Sequence, residues 1–285
     1  MSDPHLPPPR FRNGLRELLS KRSLSRIAWR RKRHAHSPAV LAAIVDDVKA
    51  YAPDHIVLTG DLTNFATPEE FAAASVWLRE LSPPQGLTLS PGNHDALTGV
   101  SGADRFTPWA DWLGDEGESF PYVRRRGPVA VINLCSALPT AFYLAQGELG
   151  ASQLERLGAI LQAAGREGLY RMVLLHHPIT VGMVSWRKSL VDAAPLRETL
   201  RRHGAELVLH GHAHAPTIAM TAGPAGAIPV LGAPSASSGA HGRHPAARWH
   251  GLEIERDGAG FSTRVVARGL TADGGIEELG RYVLA

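Results

Sequence analysis

A chain of 285 residues, 44% hydrophobic, can bury a full core as one large α/β domain or as two small ones. Its net charge is +3, no run has the length and apolarity of a membrane-spanning helix, and the N-terminus lacks the apolar stretch of a signal peptide; the expected location is the cytoplasm. A lone cysteine excludes an internal disulfide, and Cys135, ending Val131-Ile-Asn-Leu-Cys135, reads as packing in a buried strand rather than as a nucleophile.

In chain order, Asp3 and His5 come first, followed by a basic segment. Residues 10–33 carry ten Lys or Arg and one acid, Glu17. The segment is therefore +9, which leaves −6 for the rest of a chain whose total is +3. Leu15, Leu18 and Leu19 share a helical face that Leu24 and Ile27 continue, interrupted by Arg22, so an imperfect amphipathic helix is predicted at about 10–36. Ser37-Pro38 starts a helix that runs to about Tyr51, with a cap residue and a proline at its first position. The run His55-Ile-Val-Leu-Thr59 ends in Gly60-Asp61-Leu-Thr-Asn64, and Thr67-Pro-Glu-Glu70 is a capping box opening the next helix. Gly86-Leu-Thr-Leu-Ser90 leads through Pro91 into Gly92-Asn93-His94-Asp95. Helices are predicted over 109–113, 151–164 and 195–203. Tyr170-Arg-Met-Val-Leu-Leu175 ends in His176-His177-Pro178, and Glu206-Leu-Val-Leu-His210 in Gly211-His212-Ala-His214. Beyond these, strand-like runs at 228–231, 249–255 and 261–267 are separated by Gly-rich turns. This order predicts two packed mixed sheets flanked by helices.

Four of the five ligand islands share one form, an apolar β-like run followed at once by polar, metal-binding side chains. In an open α/β sheet, ligands bind beyond the carboxyl ends of the strands, so islands far apart in the chain converge there. Gly60, Gly92 and Gly211 fit such a place, since glycine lets the backbone turn sharply and approach a ligand closely. A bridging carboxylate, an amide oxygen and several imidazoles suit Mn, Fe, Zn, Co or Ni rather than the all-oxygen cages of Mg or Ca. Two such ions about 3.5 to 4 Å apart clamp the attacking and leaving oxygens of an in-line displacement at phosphorus. The expected chemistry is hydrolysis of a phosphate ester or anhydride by a metal-bound hydroxide.

Asp3-Pro-His5, Gly60-Asp61-Leu-Thr-Asn64, Gly92-Asn93-His94-Asp95, His176-His-Pro178 and Gly211-His-Ala-His214, taken in order, resemble the motifs of the calcineurin-like metallophosphoesterases. The likeness is greatest to the bacterial branch that includes class III cyclic-nucleotide phosphodiesterases. It implies a four-layer α/β/β/α sandwich, read as one domain over 1–285 with the basic segment inserted in it. It also implies that Asp3, His5 and His214 hold one divalent ion, that Asn93, His176 and His212 hold the other, and that Asp61 bridges them. His94 then stands beside the pair as proton donor to the leaving group or clamp on a phosphate oxygen, oriented by Asp95. Two departures stand out. Asn64 replaces the aspartate that often ends the second motif, which alters hydrogen bonding without removing a ligand. The family's first buried strand is also missing before Asp3, so Asp3 is expected either to hang on a fraying terminus or to follow an upstream start.

Among the remaining residues, Arg187, Lys188 and His177 are candidates for binding a substrate phosphate, with His177 alternatively supporting a loop. The Gly/Ser/His-rich stretch 232–244 is expected to be a loop with incidental histidines, with a pocket rim as the alternative. Its serines lie in no Gly-x-Ser-x-Gly elbow, and no Gly-x-x-x-x-Gly-Lys sequence occurs. The second motif is not followed by Arg-Gly and the third ends in Asp95, which argues against a protein phosphatase. The expected substrate is a small phosphodiester, a cyclic nucleotide or a glycerophosphodiester. Three readings of the basic segment stay open: a solvated cover; an attractor of substrate, nucleic acid or the inner membrane face, where a lipid-linked pyrophosphate would be cleaved; or the binding surface of a protein whose metal site is vestigial.

Overall fold

The structure is a computed structural model and describes residues 1–9, 35–97, 103–239, 245–258 and 260–284. The helix expected at 10–36 lies, except for its last two residues, outside the described residues, as does the end of the 232–244 stretch. Ser37 caps helix α1 (Pro38–Tyr51) by accepting from the Val40 N–H. Thr67 and Glu70 form the reciprocal capping box that opens α2 (Pro68–Leu81). The buried Glu70 carboxylate also collects the N–H groups of Asn64 and Phe65, which stitches the loop after Asp61 to the start of that helix. The helix expected at 109–113 is a single turn, α3 (Ala110–Leu113), that continues a 3-10 stretch. Two longer helices follow, α4 (Ala151–Arg166) and α5 (Ala193–His203).

Strands β1 (Ile56–Leu58) and β2 (Leu87–Leu89) pair in parallel. A six-stranded mixed sheet contains β3 (Tyr122–Arg126), β4 (Val129–Asn133), β5 (Tyr170–Leu174), β6 (Leu207–His210), β7 (Thr217–Ala222) and β8 (Ala227–Gly232), in the order β3-β4-β5-β6-β8-β7. Strands β9 (Arg248–Asp257), β10 (Gly260–Leu270) and β11 (Ile276–Leu284) form an antiparallel sheet. Side chains that alternate along the central strands build two cores. Val131, Met172, Leu174, Leu207 and Leu209 pack toward Leu252 and Val265 of the antiparallel sheet. Their neighbours Ile132, Val173 and Val208 pack under Leu157, Leu161, Leu196 and Leu200 of α4 and α5. A third core joins α1 and α2 to Leu58, Leu87, Leu89 and Trp249. The layers are therefore helix, sheet, sheet, helix, the α/β sandwich that the sequence predicts. One correction concerns the second sheet layer, which is divided between β1-β2 and β9-β10-β11. Cys135 also lies just past β4 rather than within it, where burial pushes its thiol up to about 12.

Candidate metal centre

The parallel strands β1, β2, β5 and β6 all run toward the site, and each ligand island is the segment in which one of them stops. Asp61 follows β1, Asn93 and His94 follow β2, His176 follows β5, and His212 and His214 follow β6. Asp3 and His5 come from the N-terminal segment, which does not hang free. The N–H groups of Asp3, His5 and Leu6 donate to the carbonyls of Gly60, Asp61 and Leu62 at 3.0, 3.0 and 2.9 Å, and on the other side Ala236 N–H donates to Ser2 O at 2.8 Å. Asp3 and His5 are buried. The backbone here is tightly constrained. At Gly60 (φ +93°) a Cβ would lie 2.6 Å from Gly92 N. Asp3, His5, Asp61, His212 and His214 all have positive φ, a conformation that costs a non-glycine residue of order 1 kcal/mol and that collects at functional sites.

The ligand atoms form two overlapping groups, Asp3, His5, Asp61 and His214, and Asp61, His176 and His212, each within 4.8 Å of one another. Asn93 joins the second, its Oδ1 3.1 Å from His176 Nε2. Asp61 is common to both. Its Oδ2 lies 3.8 Å from His5 Nε2 and 3.4 Å from His176 Nε2, while Oδ1 accepts the His94 N–H at 2.8 Å. His176 Nδ1 donates to Thr59 O at 2.6 Å, so Nε2 is the nitrogen turned to the site. His212 Nε2 is buried without a hydrogen-bond partner, and the buried Asp3 Oδ1 faces His214 Nε2 at 3.2 Å without hydrogen-bond geometry. Such atoms are costly to leave unsatisfied, and a divalent cation would satisfy both, so the residues present fit a metal. Burial, and secondarily neighbouring imidazoles, holds His5 and His212 well below the usual histidine range, which keeps them neutral and able to ligate. Burial opposes the charge on His176, but Asp61 overrides it and raises His176 to about 9; the His176 and His94 charges in turn hold Asp61 well below the usual carboxylate range against burial.

His94 lies beside the first group, its ring 5.0 Å from that of His5, with Nδ1 donating to Asn64 O at 3.0 Å. The backbone of Asn64, not Asp95, orients it. This corrects the expectation for Asp95, whose carboxylate accepts the N–H groups of Asp61, Gly92 and Thr63 and the Thr63 hydroxyl. It ties the Asp61 and Asn93 loops together; burial, then the Asp61 charge, pushes it up to about 7. His177 is also corrected. It is fully buried, with Nε2 donating to Ala145 O and Nδ1 accepting from Ser136 Oγ, so it supports a loop and has no nitrogen left for substrate. Arg187 and Lys188 are exposed, Arg187 against the Trp186 ring; the Lys188 charge is felt by His212. At Asn64 the amide Nδ2 donates to Leu6 O at 2.7 Å, a bond that an ionised aspartate could not make. The sequence reading missed His36, whose ring centroid is 4.4 Å from that of His5, because the basic run before it absorbed it. Its one visible signal was a histidine directly before a capped helix. A cavity of 690 Å³ between β1 and β9 contains none of the ligands and is lined by apolar residues such as Val57, Met172 and Leu252; ligand chemistry, not cavity size, marks the site.

The chain is 29% identical over 224 residues to a protein of Synechococcus named as a probable cyclic nucleotide phosphodiesterase, covering 76% of this chain and 78% of that one. A protein of Rhodococcus erythropolis with the same name is 29% identical over 197 residues, covering 67% and 59%. Among solved structures, a dimetal phosphatase from Danio rerio superposes with a TM-score of 0.56 at 11% identity, covering 86% of this chain and 88% of that one. A purple acid phosphatase from yellow lupin gives 0.56 at 11%, covering 88% and 50%. These two share the fold. A family model described as calcineurin-like phosphoesterase matches residues 1–216, and with that match the chain belongs to the calcineurin-like phosphoesterase family, as a metal-dependent phosphoester hydrolase.

Proposed function

We propose that this hydrolase cleaves a small phosphodiester, of cyclic-nucleotide or glycerophosphodiester type, with two divalent cations drawn from Mn, Fe, Zn and Co. The observation that carries the reading is the single oxygen, Asp61 Oδ2, lying between His5 and His176 and so common to both ligand groups. The phosphodiester class is supported by the names of the two relatives. Asp3, His5 and His214 would hold one cation, Asn93, His176 and His212 the other, and Asp61 both. When bound, such a pair acidifies a water and draws charge from the phosphoryl oxygens. The protein's own contribution is orientation. Thr59 O aims His176, Asp95 locks the loops carrying Asp61 and Asn93, and Asn64 O fixes Nδ1–H of His94. Nε2 of His94 is therefore the atom that takes up a proton and delivers it to the leaving oxygen. Arg187 and Lys188 stand at the exposed side as candidate contacts for the rest of the substrate. We read the chain as one domain acting in the cytoplasm; among the described residues, no helix is long and apolar enough to cross a membrane.

The test is hydrolysis of bis-p-nitrophenyl phosphate and p-nitrophenyl phosphate by metal-stripped protein after Mn, Fe, Zn or Co is restored, with Asp61→Ala alongside. Metal-restored cleavage of the diester in preference to the monoester, absent from the variant, is the expected result. Preference for the monoester would overturn the diester reading, and no activity with any metal would overturn the mechanism.

A further inference from the structure

We propose that His36 is a further imidazole donor to the cation held by Asp3, His5 and His214, giving that position three histidines. The inference rests on the two-cation reading above and extends it to a residue outside the five motifs. Ligand nitrogens of His5, His36 and His214 lie within 4.8 Å of one another. Ring centroids are 4.4 Å apart for His5 and His36, 5.8 Å for His36 and His214, and 5.3 Å for His5 and His214. His5 Nε2 and His214 Nε2 are themselves 3.4 Å apart. Neutral imidazoles gain little from such crowding, whereas a cation among their lone pairs makes it favourable.

A relay of hydrogen bonds reaches His36 Nδ1 and matches the ligating tautomer. Asp3 O can only accept, so the Ser235 hydroxyl is the donor in their 2.6 Å contact. Ser235 Oγ then has lone pairs for Ser237, whose Oγ is 3.1 Å away and whose N–H is 3.3 Å away. When the Ser237 hydroxyl proton points at Ser235 rather than at the ring, Ser237 Oγ accepts from His36 Nδ1–H at 2.8 Å. That polarity makes Nε2 the nitrogen able to ligate a cation, as the Thr59 carbonyl does for His176 once its second proton has left. A ring nitrogen opposite an oriented N–H is the usual arrangement of a ligating histidine. The main chain holds the residue in place as well. Ser37 N–H donates to Ser237 O at 2.8 Å, Gly239 N–H donates to Ala35 O at 3.2 Å, and His36 bridges Ser238. The relay begins at the carbonyl of Asp3, so one set of bonds would position two donors to the same ion. Three imidazoles there, against two and an amide oxygen at the other position, would bias it toward Zn, Co or Ni over Mn.

The test is a titration of metal-stripped full-length protein with Co(II), followed by visible absorption and calorimetry, for wild type, His36→Ala and His36→Gln. Gln keeps a side chain able to hydrogen-bond Ser237 but replaces imidazole with a poor donor. The expected result is two Co(II) per wild-type chain and, in both variants, a loss of roughly tenfold or more at one step, with an altered spectrum for that ion. Wild-type affinities and spectra in both variants would overturn the proposal. So would a loss in His36→Ala that His36→Gln restores, which would make the ring's role packing. A wild type that binds fewer than two ions would overturn the two-cation reading and this inference with it.

Discussion

Replacing Asn64 by aspartate changes one NH₂ to oxygen and almost no volume, so its effect isolates a single hydrogen bond. The side chain is 2% exposed, and its Nδ2 donates to Leu6 O at 2.7 Å. In Asn64→Asp an ionised carboxylate would put an acceptor against that carbonyl, costing the half-buried Leu6 C=O this donor, a loss of about 1–3 kcal/mol. Protonation of the new carboxyl would restore a donor, so the loss should be large at about pH 8 and shrink toward about pH 4, near the ordinary carboxyl range. Leu6 closes the segment that carries Asp3 and His5, so affinity for the cation they hold should fall too, while the one beside His176 should keep its affinity. Urea denaturation of metal-free wild type and variant at the two pH values gives the first quantity and Co(II) titration the second. Equal stability at the higher pH would refute the assignment of Nδ2 as the atom that anchors the N-terminal segment. The family's frequent aspartate at this position makes the outcome informative, since the substitution moves toward the common residue and is still expected to harm.

Three further outcomes follow from the site. Asp95→Asn should weaken metal binding by roughly 10- to 100-fold, because an amide cannot accept from Asp61, Gly92 and Thr63 together; a loss of kcat with metal affinity intact would instead give Asp95 the role of orienting His94. In the metal-free protein the folded value of His176, about 9, lies above its 6.5 reference, so its contribution is complete below the reference and is lost as pH rises through about 9. Urea denaturation should therefore show a loss of about 2 kcal/mol between about pH 7.5 and about pH 9, while metal affinity rises as the competing proton leaves, and a flat stability profile would contradict the His176–Asp61 pairing. Gly92→Ala places a Cβ 2.4 Å from Asp61 N and 2.2 Å from its Oδ1. It should cost about 1–3 kcal/mol in denaturation and displace the shared carboxylate, and unchanged stability and metal affinity would show that the contact relaxes freely.

Much of this molecule is legible in one dimension because its ligands stand where apolar strands stop. The run to Leu58, the run to Leu89, the run to Leu174 and the run to His210 are each followed within six residues by a candidate ligand. Parallel strands all end on one side, so a linear list of strand ends is also a list of neighbours in space. Helix starts were equally readable at Ser37-Pro38 and at Thr67 with Glu70, since a cap is chemistry between adjacent residues. Strand β11 was not, because only Leu284 among its residues is buried and a polar edge strand has no apolar signature.

The features the sequence concealed depend on main-chain atoms, which every residue possesses. The carbonyl of Thr59 orients His176, that of Asn64 orients His94, and that of Asp3 begins the relay to His36; none of these acceptors has a residue preference to betray it. The N-terminal segment is held in the same way, by N–H groups donating to the carbonyls of residues 60, 61 and 62. That is why the absence of an apolar run before Asp3 left a fraying terminus as one of two expectations, where the structure has a docked segment. Positive φ at Asp3, His5, Asp61, His212 and His214 runs against local preference at five non-glycine positions in succession around one centre. Such strain persists only where the surroundings over-determine it. Here the hydrogen bonds on either side impose it, and the cation the same side chains would share gives a reason for keeping it.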